Sequence, residues 1–360
     1  MDNIKAKLID VLKNKKFILV IVIIAILSLS AIFAILREPE TPVVYNDIKI
    51  QYKDKNLEKA IRSVISKPFG DIYVHDVATL KSLDISKKDI RFLDGLEHMF
   101  NLVSINLSEN KVEDISKLKD LKKLENLYIG VNKVKDIYPI RNLTNVKDLR
   151  LNNNDILDIS VLAGHKSITK LELSRNHIED ITPLNTLVNL KEVSVAYNNL
   201  GNVDLLYSMK GLNALNISGN SLVDIEGVGS LVNLSELNIS DNAITNLTPV
   251  VKLTNLTKLD TSDNRIKDIK MISPLINLEY LSIANNFVSD ISVVTAFKNL
   301  EILSVVNTNV VDLTSIKSLS KINELFLDKN SDRSQIKHLN GKLKNSDIYT
   351  KSEFLNKEIF

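Results

Sequence analysis

The chain has 360 residues, with 46 basic and 44 acidic side chains, a net charge of +2 and no cysteine. This near balance of charge gives no bulk attraction to nucleic acid, so no nucleic-acid partner is expected. The absence of cysteine excludes disulfides, thiolate metal ligands, a cysteine nucleophile and lipid attachment through cysteine. The sequence has no P-loop, GxGxxG, HExxH or GxSxG motif, and its five histidines share no metal-ligand spacing. We therefore expect no enzyme activity, no cofactor and no metal.

Residues 17–36 are uncharged and are interrupted only by Ser28 and Ser30. As a helix, this segment would be about 30 Å long, which matches the hydrocarbon core of a bilayer. Five lysines lie before it, within residues 1–16, so we predict a single-pass anchor with a cytoplasmic N-terminus and the following residues outside. A signal peptide cleaved after Ser30 is the alternative, but the apolar run continues to residue 36 and favours retention.

Residues 37–55 are predicted to be a linker, because the segment opens with charged residues and two prolines. Residues 56–79 are predicted to be a helical cap. Asn56 would be the N-cap of its first helix, since apolar residues follow at helical spacing, and Pro68 marks the exit. A second short segment, 76–83, would lead into the first repeat. Such a cap covers the apolar end of the repeat array that follows.

An asparagine recurs every 22 residues from Asn110 to Asn286, and the next two periods fall on Thr308 and Asn330. Each lies at position nine of the frame Leu-x-x-Leu-x-Ile-x-x-Asn, as in residues 124–132. This period and frame are the leucine-rich-repeat signature, which predicts an α/β solenoid with one strand per repeat. About twelve repeats occupy residues 80–330. They start at Leu80, Leu102, Leu124, Val146, Ile168, Leu190, Leu212, Leu234, Leu256, Leu278, Leu300 and Ile322.

Two polar residue types recur with the repeat and are predicted to be structural. The buried asparagine amides should satisfy backbone groups of their own and the adjoining coil, which makes a ladder. The ladder residues are Asn110, Asn132, Asn154, Asn176, Asn198, Asn220, Asn242, Asn264, Asn286 and Asn330. Carboxylates just before the return isoleucine or leucine should cap the outer turn rather than bind calcium. They are Asp114, Asp136, Asp158, Asp180, Asp224, Asp268, Asp290 and Asp312.

Other recurring features concern the return arm and the histidines. Pro139, Pro183 and Pro249 share one repeat position and should hold the return arm extended or in a tight helical turn. His98, His165 and His177 lie at variable positions and are predicted to face solvent.

The repeats resemble those of the internalins. Residues 176–184 and 242–250 are similar to the N-x-I-x-D-I-x-P-L repeat of that family, and residues 56–65 are similar to its helical cap. The resemblance covers residues 56–330. It implies a curved, right-handed solenoid with a parallel sheet on its concave side and 3-10 turns on its convex side, in a bacterial surface protein that binds a partner through the concave face. No LPxTG-type sorting motif is present, so an N-terminal anchor is expected to replace wall attachment.

The residues that the repeat does not dictate are the candidates for recognition. Strand positions three, five and seven should point onto the concave sheet. One predicted patch is acidic and amide-rich, and we expect its carboxylates to give charge selectivity. Its residues are Asn216, Glu236, Asn238, Asp241, Asp260 and Asp263, with Lys258 and Arg265 beside them. The alternative is that these groups only solvate the sheet.

A second predicted patch is apolar and contains Tyr280, Ile302, Val306 and Phe326. Exposed apolar clusters often mark partner surfaces, so these residues are the predicted anchors. The alternative is that the tail, residues 331–360, folds back over them as a C-terminal cap. Both interpretations remain open at this stage.

The sequence thus predicts a monomeric, membrane-anchored, extracytoplasmic repeat protein that binds a protein ligand and has no catalytic activity. Two alternatives remain. One is an intracellular scaffold or phosphatase regulator with the same repeat length, which the segment 17–36 disfavours. The other is an envelope component that binds wall glycan.

Overall fold

The computed structural model describes residues 48–328, 331–339 and 348–349. The predicted anchor at 17–36, the basic segment 1–16, residues 37–47 of the predicted linker and Asn330 lie outside the described residues. The chain divides after Ile48, and the unit from Lys49 to Phe360 carries the repeats. Within the described ranges, no helix is long and apolar enough to cross a membrane.

The described residues form one parallel sheet of thirteen strands in chain order. The strands are β1 (Ser82–Asp84), β2 (Ser104–Asn106), β3 (Asn126–Tyr128), β4 (Asp148–Arg150), β5 (Lys170–Glu172), β6 (Glu192–Ser194), β7 (Ala214–Asn216), β8 (Glu236–Asn238), β9 (Lys258–Asp260), β10 (Tyr280–Ser282), β11 (Ile302–Ser304), β12 (Glu324–Phe326) and β13 (Ile348–Tyr349). The register follows the period, so Lys170 pairs with Glu192, 22 residues later. The leucine-rich-repeat solenoid is confirmed, and β13 adds a strand beyond the twelve predicted.

Each of the strands β1 to β12 is followed by a return segment that contains a short 3-10 helix. These helices are Leu96–His98, Ser116–Leu118, Tyr138–Asn142, Ser160–Leu162, Thr182–Thr186, Asp204–Ser208, Glu226–Ser230, Thr248–Lys252, Lys270–Ile272, Ser292–Ala296, Thr314–Ser318 and Arg333–Leu339. Pro139, Pro183 and Pro249 occupy the first turn, where the missing N–H of proline has no cost. The prolines therefore form a tight helical turn, which is one of the two predicted conformations.

The recurring carboxylates cap these 3-10 helices, as predicted. Asp290 Oδ1 accepts a hydrogen bond of 2.8 Å from the backbone N–H of Ser292, and hydrogen bonds from Ser292 lower the pKa of Asp290 to about 2. All eight aspartates make the same bond to the residue two positions later, with lengths from 2.7 to 3.3 Å. Their recurrence is therefore structural.

The solenoid core consists of the leucine-type positions of every coil. Leu124, Leu127 and Ile129, at positions one, four and six of their repeat, are 0 % exposed, as is Val134 on the return segment. Each repeat thus contributes an apolar stripe that only the next coil can cover, and stacking joins the stripes into one core.

The asparagine ladder is confirmed from Asn110 to Asn286. Asn154 shows its geometry: Nδ2 donates to the carbonyls of Leu151 in its own coil and Ile129 in the previous coil, both at 3.0 Å. Its Oδ1 accepts from the backbone N–H of Val134 at 2.9 Å. One amide therefore satisfies buried backbone groups of two coils at once.

The ladder changes at Thr308. The Thr308 hydroxyl donates to the carbonyl of Val305 at 2.8 Å and accepts from the N–H of Val310 at 3.4 Å. Both partners belong to its own coil, and within the part of the chain that the structure describes this side chain makes no bond to the coil before. Coil-to-coil bridging at this position is therefore weaker where the repeats approach their C-terminal end.

A second amide ladder, which was not predicted, lies just before the strands. Asn145 Nδ2 donates to the carbonyl of Lys122, 23 residues earlier, at 2.8 Å. The same bond, at 2.7–2.9 Å, is made by Asn101, Asn145, Asn189, Asn233, Asn255 and Asn277. The two ladders tie neighbouring coils together at both ends of the strands.

The N-terminal cap consists of α1 (Lys55–Val64) and α2 (Val74–Val77). The predicted N-cap, Asn56, is wrong: Asp54 is the cap, and its Oδ1 accepts from the N–H groups of Asn56 and Leu57 at 2.8 and 3.2 Å. Its other oxygen accepts from the N–H groups of Arg91 and Phe92 at 2.6 and 3.1 Å. The two oxygens of Asp54 therefore cap the helix and bind the first repeat at the same time.

One histidine prediction is wrong. His165 is only 4 % exposed, because it occupies the core position that Leu143 and Leu187 hold in the neighbouring repeats. Its Nε2 lies 3.2 Å from the carbonyl of Ile140, while its buried Nδ1 has no hydrogen-bond partner among the residues that the structure describes. His177 is exposed and His98 partly exposed.

Candidate functional site

The concave face contains a groove of about 810 Å³. Its residues lie on strands β4 to β9 and in the segments that follow them, and Tyr280 of β10 forms one end; we call this region the open groove. Its floor, on and just after β6 and β7, has small side chains, including Ser194, Ala196, Ala214 and Ser218. Longer charged side chains stand on the strands at either side. At about 4.8 Å per strand, the open groove is roughly 30 Å long.

The first side of the groove contains ion pairs on strands β4, β5 and β6. Arg150 binds Asp148 on the same strand at 3.0 Å, and its guanidinium lies 4.7 Å from the centroid of the Tyr128 ring. Tyr128 also donates its hydroxyl to Asp148 at 3.0 Å. Lys170 and Glu192 stand opposite each other in register on β5 and β6 and form an ion pair of 2.7 Å.

Glu172, on strand β5, is partly exposed. Its Oε1 accepts from the backbone N–H of Ser174 at 2.8 Å, and burial raises the pKa of this carboxyl. The Ser174 and Ser194 hydroxyls are hydrogen-bonded to each other. Glu172 therefore helps to order the groove floor.

The second side of the groove contains the predicted acidic patch, and the structure divides that patch. Glu236 faces Lys258 in register and pairs with it at 3.1 Å, with roughly a third of each side chain exposed. Asp263 is exposed, as predicted. Asn238 and Asp260 are each only 7 % exposed, so the prediction that these two side chains are exposed on the concave sheet is wrong.

Asn238 and Asp260 are used within the fold. Asn238 Oδ1 accepts from the backbone N–H of Ser240 at 2.9 Å, and Asp260 Oδ1 accepts from that of Ser262 at 2.8 Å. Tyr280 also donates its hydroxyl to Asp260 at 3.3 Å. Burial raises the pKa of Asp260, and burial likewise raises that of Tyr280. These position-five side chains support the turn after the strand.

The predicted apolar patch is not an exposed surface. Tyr280, Val306 and Phe326 are 3, 1 and 0 % exposed, and Ile302 is partly exposed. Val306 and Phe326 pack with Ala284, and Ile302 packs against that cluster. We call the concave face of β10 to β12 the buried end. The prediction that Tyr280, Val306 and Phe326 are exposed anchors is therefore wrong, because these side chains pack as core.

The described part of the tail extends the solenoid beside the buried end. β13 pairs with β12, so that Tyr349 is in register with Phe326. Ile336, in the 3-10 helix of the same coil, is 1 % exposed. These contacts favour the alternative in which the tail caps the last repeats.

The prediction omitted an exposed row at position eight, just before the ladder asparagines. Its residues have positive φ and include Asn153, Arg175, Tyr197, Asp241 and Asp263, all of which except Asp241 line the groove. Only Asp241 and Asp263 were among the predicted residues. The signal in the sequence was that this position varies from repeat to repeat while the asparagine after it does not.

Charged, polar and small side chains line the groove. Within residues 48–328, 331–339 and 348–349, no cluster of histidines and carboxylates could hold a metal ion. Three ion pairs lie along the groove: Arg150 with Asp148 on one strand, and Lys170 with Glu192 and Glu236 with Lys258 between neighbouring strands.

Comparisons with known proteins agree with the fold. The family model described as leucine-rich repeats in two copies matches residues 100–142, 232–277 and 254–296. No curated protein sequence matches the chain.

Solved structures give closer relationships. An internalin (inlF) from Listeria monocytogenes is 32 % identical, with a TM-score of 0.73, over 82 % of this chain and 89 % of that chain. The functional domain of InlJ from Listeria monocytogenes is 23 % identical, with a TM-score of 0.65, over 79 % of this chain and 67 % of that one. A plant peptide hormone receptor, RGFR1, solved in complex with RGF2, shares 19 % identity and a TM-score of 0.56 over 72 and 49 % of the two chains, which shows the fold alone. The repeats, the cap and the inlF relationship together show that the chain belongs to the internalin family of leucine-rich-repeat proteins.

Proposed function

We propose that this chain binds a protein partner in the open groove and catalyses no reaction. One observation carries the proposal. The open groove is a concave surface whose charged side chains are set by no requirement of the repeat, yet are held in fixed positions by pairing. Such preordered charges favour specific protein recognition, because little side-chain entropy is lost on binding.

The size of the groove suits a polypeptide better than a small molecule. A length of roughly 30 Å over six strands exceeds the span of an ordinary small ligand and is comparable with one side of a protein interface. The small floor residues Ala196 and Ala214 leave depth for side chains of a partner between the charged walls.

For its location, we propose that the repeats are extracytoplasmic and that residues 17–36 anchor the chain in the membrane. The support is the uncharged stretch with lysines before it. Protease added to intact protoplasts should digest the repeats, and the full-length chain should stay in the carbonate-washed membrane fraction. A chain recovered intact from the soluble cytoplasm would instead favour the intracellular scaffold.

The binding surface can be tested by site-specific photocrosslinking in living cells. A photoreactive residue would replace Lys170 or Ala214 in the groove, and Leu157 or Val188 as matched controls. The two control residues are 63 and 70 % exposed and lie outside the sheet. We expect one discrete protein adduct from the groove positions and none from the controls.

A charge variant then tests whether the adduct reflects specific binding. Lys170→Glu places a second negative charge opposite Glu192. The affinity for the crosslinked partner should then fall about tenfold or more. The double variant Lys170→Glu with Glu192→Lys restores the pair within the chain. Equal yields of adduct from the groove and control positions would contradict protein binding in the groove. So would binding of the chain to purified wall glycan, if groove variants abolish that binding.

A further inference from the structure

The position-eight row forms one edge of the open groove. Tyr197, Gly219, Asp241 and Asp263 occupy this position in four successive repeats, with φ of 50, 62, 50 and 52°. The backbone N–H of each donates to a carbonyl of the next coil at 2.8 to 3.0 Å. The four residues therefore form a row with a spacing of about 4.8 Å. Gly219, the second residue of the row, has no side chain.

Tyr197 is held in place on this edge. The guanidinium of Arg175 lies 4.4 Å from the centroid of its ring. On the other side the ring lies against Gly219, where even a Cβ atom would overlap ring carbons. Gly219 thus leaves the space that the ring fills, and Tyr197 remains 38 % exposed. A partly exposed aromatic ring with restricted motion is typical of residues that dominate interface energy.

The two residues that follow Gly219 in the row, Asp241 and Asp263, carry carboxylates. Asp241 and Asp263 are both exposed. Burial is the main cause that raises the pKa of the Tyr197 phenol, and the carboxylate of Asp241 raises it further, while Arg175 acts in the opposite direction. The hydroxyl end of Tyr197 therefore lies in the field of these two carboxylates. A positively charged group of a partner would be attracted to this place.

We propose that Tyr197, Asp241 and Asp263 form an anchor site for a lysine or arginine side chain of the protein partner. The aliphatic stem of that side chain would pack on the exposed part of the Tyr197 ring, and its charged head would meet the two carboxylates. This inference rests on the proposed function and adds the chemistry of the partner: a polypeptide segment with a basic side chain, at the edge of the groove rather than on its floor.

Tyr138 is a matched control in the same chain. It is 58 % exposed, and the guanidinium of Arg141 lies 4.4 Å from its ring centroid, as in the Arg175–Tyr197 pair. However, Tyr138 begins a 3-10 helix on the opposite side of the coil. Basic peptides that merely bind exposed tyrosines would affect both residues.

The experiment uses defined peptides and needs no knowledge of the partner. The full chain, with ¹³C-labelled tyrosine rings, is titrated with acetyl-Gly-Arg-Gly-amide and, separately, with acetyl-Gly-Glu-Gly-amide. Tyr197→Phe and Tyr138→Phe assign the two rings. We expect a saturable shift of the Tyr197 ring with the arginine peptide only, no shift of Tyr138, and at least fivefold weaker binding by the variant with Asp241→Asn and Asp263→Asn. No saturable shift at Tyr197, equal shifts at both tyrosines, or equal response to both peptides would overturn the proposal.

Gly219→Ala gives a second test that leaves every charge in place. The added methyl should displace the Tyr197 ring and weaken the arginine peptide at least threefold, with the thermal unfolding profile recorded to show that the variant is folded. Arg-peptide affinity equal to that of the parent chain would contradict the role of the ring. If instead the groove crosslinks appear as expected but the peptide does not bind, the anchor site fails while the proposed function stands. Loss of the groove crosslinks themselves would remove the proposed function.

Discussion

The same face of one sheet has two different environments. In the open groove, charged side chains such as Lys170 and Glu236 stand at strand position three and remain partly exposed. At the buried end, Tyr280 occupies the same position and is 3 % exposed. The repeat leaves these positions free in both regions. A concave position is therefore a candidate for binding only when its neighbours leave it open.

The largest expected effect distinguishes the two environments by stability. Phe326→Ala should lower the free energy of unfolding by about 3–5 kcal/mol, because it leaves a cavity beside Ala284 and Val306. Tyr197→Ala, which removes an exposed ring from the open groove, should cost about 1 kcal/mol or less. Chemical denaturation followed by circular dichroism measures both. Similar losses for the two variants would remove the distinction between core and groove.

The next largest effect concerns the ladder that supports both regions. Asn176→Ala leaves the carbonyls of Leu151 and Leu173 and the N–H of Ile156 without the amide. We expect a loss of about 3 kcal/mol in denaturant melts, since each buried unsatisfied group costs about 1–3 kcal/mol. The reverse change, Thr308→Asn, should stabilise the coils of β10 and β11, within the buried end, by about 1 kcal/mol. If the Asn176→Ala variant is as stable as the parent chain, water replaces the amide.

His165→Leu is expected to stabilise the protein by about 1–2 kcal/mol, because it removes a buried ring nitrogen without a partner. The carbonyl of Ile140 keeps its bond from the N–H of Leu143 at 2.8 Å. The change also restores the residue type of the neighbouring repeats. Differential scanning calorimetry should show a higher melting temperature. A lower one would mean that the imidazole has an unrecognised stabilising contact.

Ion pairs of the open groove should affect stability least. Glu236→Gln removes the charge that faces Lys258 and should change the unfolding free energy by less than about 1 kcal/mol, because both side chains are partly exposed. A loss of more than about 2 kcal/mol would show that this pair is part of the core rather than a recognition group.

Asp260 lies at the border of the two regions, and its ionisation should make the free energy of unfolding depend on pH. Burial holds its folded pKa above the ordinary value of 3.8, so its contribution to stability is fully present below that value and is lost as pH rises through the folded pKa. Asp260→Asn should therefore become more stable relative to the parent between pH 3 and 7. Asn238 already makes the same backbone bond at the equivalent position. A stability difference that does not change with pH would contradict the raised pKa.

Much of the fold could be predicted because the repeat imposes it. The spacing of Asn110 to Asn286 predicted the strands and the ladder, and the position of Asp290 predicted a cap. His165 was misplaced although its repeat position, which is leucine in the neighbours, was a sufficient signal. Asp54 could not have been chosen over Asn56 from local spacing, since half of its bonds are to Arg91 and Phe92.

The site was harder to predict than the fold. Exposure on the concave face depends on packing between neighbouring coils, as for Phe326 against Ala284 and Val306. Alternation along one strand cannot reveal such packing. Tyr197 was missed for a related reason: its importance depends on Gly219 in the next repeat, which leaves room for its ring.

The central claim, that one face has an open groove and a buried end, can be measured by thiol accessibility. The chain has no cysteine, so single variants label at one place. Ala214→Cys lies on the groove floor and is partly exposed, whereas Ser304→Cys lies at the buried end. In native buffer, a maleimide should react with the Ala214→Cys variant at least a hundredfold faster than with Ser304→Cys, and the two rates should become equal in denaturant. Equal rates in native buffer would contradict the account.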